Sequence, residues 1–400
     1  MKGALSWPFL RLYGLTILYF SANSILNVLI PLKGDSIGAT NTEIGFIMGA
    51  YLFTTMFFRP WAGHIIRQKG PVQVLRAIIV INGLALLLYT FTGLEGYLVA
   101  RVLQGACTAF FSMALQLGII DALPEEVRSQ GVSMYSLCAS IPNVIGPLLA
   151  VGIWQSGAMA PFTWTIAFIV ILTGVAGFSI RISDSGASDP KSAGQRGAIY
   201  QSFSNLYRNP YLFRCSIIMF IASIVFGAVT TFIPLYAPTI PNGSAAAFLT
   251  IQAGTIVAAR FFLRKKIPSD GKWHSGFVMT IMLLTAASAL GVCLSSSFRG
   301  GAILFYPSAG LMGISQALLY PTLTTYLSFV LPQTSRNVLL GLFIATADLG
   351  VSLGSAAMGP LADLTSYSVM YLMCAILGSF VTAFSYDRRG KWSSAAALDN

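Results

Sequence analysis

Asp348 stands in the middle of "LLGLFIATADLGVSLGSAAMGPL" (339–361), a run otherwise apolar enough to cross a bilayer. A carboxylate at that depth costs about 2.5–3.5 kcal/mol on insertion scales, so its presence points to chemistry. Such a carboxyl can load and release a proton as its solvation and charged neighbours change, or it can pair with an amine of a solute. Three arginines, Arg59, Arg101 and Arg260, also lie within or at the ends of apolar runs, and a guanidinium fork binds a carboxylate through two parallel hydrogen bonds. Positive charge therefore exceeds negative charge inside these runs, which suits an anionic or zwitterionic solute.

Polar residues recur at the i, i+3, i+4 and i+7 spacing of one helix face. Thr16, Tyr19, Asn23 and Asn27 form one stripe, and Arg101, Gln104, Thr108, Ser112 and Gln116 form another. Ser133, Ser136, Ser140 and Asn143 make a third, and Asp348, Ser352 and Ser355 a fourth. Gln316 and Tyr320 sit on a comparable face further along, with Tyr51 and Tyr135 as further aromatic candidates. Hydroxyls and amides so placed either bind helix to helix, at about 0.6 kcal/mol each, or face a solute. The spacing serves both readings.

Other chemistries find little support. The cysteines (Cys107, Cys138, Cys215, Cys293, Cys374) are scattered singly with no CxxC, and both histidines, His64 and His274, are expected in loops. Neither a disulfide framework nor a protein-built metal site is expected. The same scarcity argues against an enzyme, and no phosphate-binding G-x-x-x-x-G-K-[ST] loop is present. No cofactor is expected.

The elements that must hold these residues follow from composition. Of the 400 residues 55% are hydrophobic and 9% charged, against about a quarter charged in soluble domains. Apolar runs of about 20 residues, the length of a membrane-spanning helix, fall near 8–30, 43–66, 74–92, 97–120, 131–153, 160–180, 211–235, 244–265, 275–294, 301–330, 337–360 and 366–386. The fold class is an all-α integral membrane protein of twelve spans. Of the 24 lysines and arginines, only Lys33, Arg101 and Arg299 fall away from the side of the N-terminus. The positive-inside rule then places both termini in the cytoplasm of a multi-pass cell-membrane protein. The net charge of +11 is explained by basic loops near anionic lipid headgroups, with no nucleic-acid partner needed.

The chain is written twice. "LIPL" (29–32) returns as "FIPL" (232–235) after 203 residues, Arg59 and Gly70 return as Arg260 and Gly271 after 201, and Gly105, Leu123-Pro124 and Arg128 return as Gly313, Leu331-Pro332 and Arg336 after 208. The organisation expected is an N-terminal six-helix half (1–180), a polar cytoplasmic linker (181–210) with a short surface helix near 197–207, a C-terminal half (211–388) and a cytoplasmic tail (389–400). Two such halves are an architecture of secondary transporters, with the solute bound near the midplane.

"RVLQG" (101–105) resembles the fourth-helix signature of the major facilitator superfamily, and "RPWAGHIIRQKG" (59–70) resembles its loop between helices two and three, with Gly63 and Gly70 in place. That loop usually carries an Asp where Arg67 stands here. "NVIGPLLA" (143–150) keeps the Gly146-Pro147 pair of the family's antiporter pattern, but the two glycines that usually follow are Ala150 and Val151. "QGACTAFFSMALQLGIIDALPEE", "ARFFLRKKIPSDGKWH" and "YPTLTTYLSFVLP" resemble members that export opine-type metallophores. The resemblance implies a proton-coupled exporter of a small histidine-derived chelator bearing carboxylates and secondary amines, its metal held by the solute. With the polar stripes and intramembrane arginines read alongside it, solute contacts are expected at Asn23, Asn27, Tyr51, Arg59, Arg101, Gln104, Gln116, Asn143, Arg260, Gln316 and Tyr320. Coupling would fall to Asp348, and conformational roles to Gly63, Gly70, Gly105, Gly146 and Pro147. A multidrug exporter of the same fold is the alternative.

Overall fold

The computed structural model describes residues 6–157, 159–179, 209–263, 266–268, 270–298, 300–332 and 336–386. Its regular structure is helical throughout, and the described residues fall into two compact units. The expected linker but for Asn209 and Pro210, its surface helix and the tail lie outside the described residues.

The first unit holds α1 (Trp7–Ser36), α2 (Asn41–Lys69), α3 (Pro71–Phe91), α4 (Leu94–Ala122), α5 (Glu125–Ser140), α6 (Pro142–Gln155) and α7 (Met159–Phe178). The second holds α8 (Pro210–Tyr236), α9 (Ala245–Phe262), α10 (Ser275–Leu294), α11 (Ala302–Val330), α12 (Arg336–Leu364) and α13 (Tyr367–Phe384), and takes in Thr40–Gly45 at the start of α2. Eleven of the helical stretches are long and apolar enough to cross a membrane, with α5 and α6 counted together over Gln130–Gln155. The twelfth, α2, has 29 residues, about 43 Å at 1.5 Å per residue, but gathers charge at its ends.

Local chemistry sets the helix ends. The Asn209 side chain accepts hydrogen bonds from the Tyr211 and Leu212 amides at the start of α8, Ser244 does the same for Ala247, and Ser366 for Val369. Each satisfies amides that the first helical turn leaves open. Gly70 stops α2 at φ +82°, and its repeat Gly271 stands before α10 at φ +71°, a region that residues with a side chain rarely adopt.

Three expectations are corrected. The fifth span is not one helix: it divides at Ile141, because Pro142 has no N–H to continue the ladder and its ring collides with the preceding turn. The Ser24 hydroxyl donates to the Pro142 carbonyl oxygen at 2.9 Å and holds the break. Residues 59–70, which resemble the family's loop, are helical as far as Lys69, three residues past the span expected to end near 66. His64 is therefore helical, 2.9 Å from the amide nitrogen of Gln68 one turn on.

In the first unit α3 packs on α4 and α1 on α6. Its core is centred on Leu15, Phe111 and Leu115, all fully buried, with the Tyr19 ring stacked on Phe111 at 3.6 Å. In the second unit α12 lies along α8, α13 along α10, and α11 against α9 and α10. Leu84, Phe91, Trp164 and Phe168 in one unit and Phe262, Ile303 and Phe380 in the other are exposed. Apolar surface on that scale suits contact with lipid chains.

Candidate substrate site

The repeat read from the sequence carries equivalent contacts. A methyl group at Gly105 would overlap the Tyr51 carbonyl oxygen, and one at Gly313 would come within 2.6 Å of the Gln252 carbonyl oxygen. Gln252 follows Tyr51 by 201 residues and Gly313 follows Gly105 by 208. The absent side chain lets α4 approach α2, and α11 approach α9, nearly backbone to backbone. This approach aligns the polar faces. Tyr51 Oη lies 2.9 Å from Thr108 Oγ1, and at the same offsets Gln252 Nε2 donates to Gln316 Oε1 at 3.1 Å.

About two turns further on, each unit presents an arginine with an aromatic partner. In the first, Tyr135 shares a hydrogen bond with Gln116 and lies in the electrostatic field of Arg59. In the second, Tyr320 lies in the field of Arg260 and stacks on Phe343 at 6.0 Å. Phe343 is the counterpart of Tyr135, and Arg260 that of Arg59. Each set can bind a carboxylate, by guanidinium and phenol in the first unit and by guanidinium and a second phenol in the second.

Arg101 has a different setting. Its side chain is fully buried, Nη1 donates to Asn23 Oδ1 at 2.7 Å, and Nη2 donates to Asn27 Oδ1 at 2.9 Å. The guanidinium lies 5.3 Å from the centre of the Tyr51 ring, within reach of its face. Beside it Gln104 Oε1 accepts a 2.6 Å hydrogen bond from Tyr89 Oη. Asn23, Asn27 and Arg101, expected to meet the solute, are thus committed to one another. The positions 203 and 208 residues on are Phe226, Thr230 and Ala309, so the second unit has no copy of this buried cation.

Asp348 is half-buried on α12 and engaged with its surroundings. Its helix is seated closely on α8: methyl groups at Gly350 and Gly354 would run into the backbone of Phe220 and Ile224, and Thr231 Oγ1 lies 2.8 Å from Ser355 Oγ. Gly146, 208 residues before Gly354, meets Ser24 of α1 in the same manner. Pro147 is buried beside it, while a methyl group at Gly63 would meet only the end of the Met113 side chain, at 3.3 Å. Asn143 is exposed on α6. Among the described residues no three His, Cys, Asp or Glu side chains come together.

One feature went unforeseen. Both Asp363 carboxylate oxygens cap the start of α2, accepting from the Asn41 and Thr42 amides at 2.9 and 2.8 Å, from Asn41 Nδ2 at 2.8 Å and from Thr42 Oγ1 at 2.6 Å. Tyr367 Oη donates to Asn41 Oδ1 at 2.6 Å. An N-cap is normally read from the residue just before the helix. This one comes from 322 residues away, where no local spacing reveals it.

The chain is 54% identical over 400 residues, all of both chains, to the staphylopine export protein of Staphylococcus aureus (strain Mu50). It is 23% identical to an uncharacterised MFS-type transporter of Methanocaldococcus jannaschii, over 90% of this chain and 92% of that one. Among solved structures it matches the nucleoside transporter NupG with a TM-score of 0.77 at 12% identity, covering 94% of this chain and 98% of that one. A bacterial homologue of the human lysosomal transporter Spinster matches with a TM-score of 0.69 at 14% identity, covering 96% and 95%. The family model described as Major Facilitator Superfamily matches residues 12–269, and the chain belongs to that superfamily of membrane transporters.

Proposed function

We propose that the protein exports an opine-type metallophore from the cytoplasm, coupled to proton entry, by alternating access. The observation that carries this reading is the end-to-end 54% identity with a staphylopine export protein. The polar geometry supports it. Arg59 with Tyr135 and Gln116, and Arg260 with Tyr320, each offer a carboxylate a charged fork and neutral donors. Gln252 and Gln316 add amides able to donate and accept, as a solute with amines and carboxylates requires. Asp348 is the coupling group, exchanging a proton or a substrate amine as its solvation changes. The metal, if carried, travels in the solute's own chelating groups.

The test is flux in proteoliposomes with an imposed pH gradient, using staphylopine and nicotianamine with and without bound zinc. Uphill movement of an opine against its own gradient is expected. No opine flux, with efflux of lipophilic dyes instead, would replace this reading by that of a multidrug exporter.

A further inference from the structure

The first unit contains a cavity of about 210 Å³ at the end where α1, α3 and α6 finish and α4 and α7 begin. Its walls are Leu26, Leu29 and Ile30 of α1 and Phe162 of α7, with the rings of Tyr89 and Trp154. Its volume lies between the ~150 Å³ that accepts one benzene ring and the ~300 Å³ at which drug-sized pockets begin. It therefore takes a single ring or part of one alkyl chain. The Tyr89 hydroxyl is already committed to Gln104, leaving its ring to the cavity.

Lys33 is the one charged residue lining this space. It is half-buried in the last turn of α1, and among the described residues its ammonium has neither a hydrogen bond nor a carboxylate partner. Asp35 and Glu95, the acids near the same end, do not pair with it. The cavity reaches the surface at Gly157, which is exposed after α6. Beyond it α7 turns Trp164 and Phe168 outward, 75% and 63% exposed, on a face suited to lipid.

We propose that this cavity is a binding site for an anionic phospholipid, whose phosphate pairs with Lys33 and whose acyl chain lies among Leu26, Leu29, Ile30 and Phe162. A polycarboxylate solute does not fit the same space, because its carboxylates would be buried against leucine and isoleucine with a single cation, Lys33, among them. The aromatic rings and the single lysine match the amphipathic junction of a lipid chain and headgroup. Occupancy would also pack the Tyr89 ring from behind and so fix Gln104 beside Arg101.

The experiment uses the full-length protein in nanodiscs of phosphatidylcholine doped with phosphatidylglycerol brominated along one acyl chain, or with equally brominated phosphatidylcholine. The readout is the part of tryptophan quenching that disappears in Trp154→Phe. Quenching by the phosphatidylglycerol at least tenfold lower in dopant concentration than by the phosphatidylcholine is expected. Lys33→Gln should erase that preference, and Lys33→Arg should keep it. Ile153→Trp, which narrows the rim, should reduce retention of phosphatidylglycerol in native mass spectra of the solubilised protein by a similar factor. Equal quenching by both lipids, no Trp154 component, or a preference that survives Lys33→Gln would each overturn the proposal. Inhibition of the phosphatidylglycerol quenching by added staphylopine would overturn it too, and would mark the cavity as part of the transport route.

Discussion

At the scale of single residues the two most informative side chains are Arg101 and Asp348. Arg101 Nε is buried without a partner, and an ion taken out of water costs several kcal/mol even after relaxation. Hydrogen bonds from Nη1 and Nη2 to the Asn23 and Asn27 oxygens, and the Tyr51 ring, offset part of that cost. Asn23→Ala should therefore destabilise the protein by about 1.5–3 kcal/mol, the usual range for a hydrogen bond to a charged group. The same change in an Arg101→Leu background should cost much less, and thermal unfolding of the four proteins in detergent measures the difference as a double-mutant cycle. Equal costs in both backgrounds would mean that the amide does not serve the guanidinium. For Asp348, the substitution Asp348→Asn keeps the shape and removes titration. Uphill, proton-driven export should stop while protein abundance stays near normal; full uphill transport under an imposed pH gradient would move coupling elsewhere, to Glu43 or Asp121.

At the scale of elements, glycines decide how near two helices can lie. Gly105 against Tyr51 and Gly313 against Gln252 place each polar stripe within hydrogen-bonding distance of its neighbour. Gly105→Val should force α4 away from α2, costing about 1–3 kcal/mol as overpacking does, and should break the Tyr51–Thr108 contact. Gly14→Val is the control, since nothing lies within 4 Å of a methyl group there. Melting temperatures compare the two, and an equal drop would show that valine is merely a poor helix residue at both places. The break at Pro142 belongs to this scale as well. The Ser24 hydroxyl, brought near by the close passage of Gly146, ties α1 to the Pro142 carbonyl oxygen at the start of α6.

At the scale of the molecule, orientation follows from charge. Basic residues gathered on one side lead us to place both termini in the cytoplasm. Ser188→Cys should then be labelled by an impermeant thiol reagent only after cells are opened, and labelling of intact cells would reverse the assignment. The two units repeat their backbone contacts, yet the fully buried Arg101 of the first has Ala309 at its repeated position, and only the second has an acid at the position shared by Ser140 and Asp348. A duplicated scaffold thus carries unlike charges at its repeated positions.

Hydropathy, spacing and repeats in the sequence alone determine the helical class, the spans and the two-fold writing of the chain, while the resemblance to the family is carried by short motifs such as "RVLQG" (101–105). These signals are local: an apolar run needs about 20 neighbours to be recognised, and a stripe needs only the helical period. They place Tyr51, Thr108, Gln252 and Gln316 on usable faces but do not say which face meets which. Partnership depends on how each helix is rotated and how deep its glycines let it sit, so the tertiary structure decided that Asn23 and Asn27 serve Arg101, 78 and 74 residues away. It also decided that Asp363 caps α2 and that α2 continues as helix through His64. The physical reason is one of range. Backbone hydrogen bonding and burial in lipid are satisfied within a single helix and leave their mark in consecutive residues, whereas a buried charge or an open helix end is satisfied by whatever group the packing brings near.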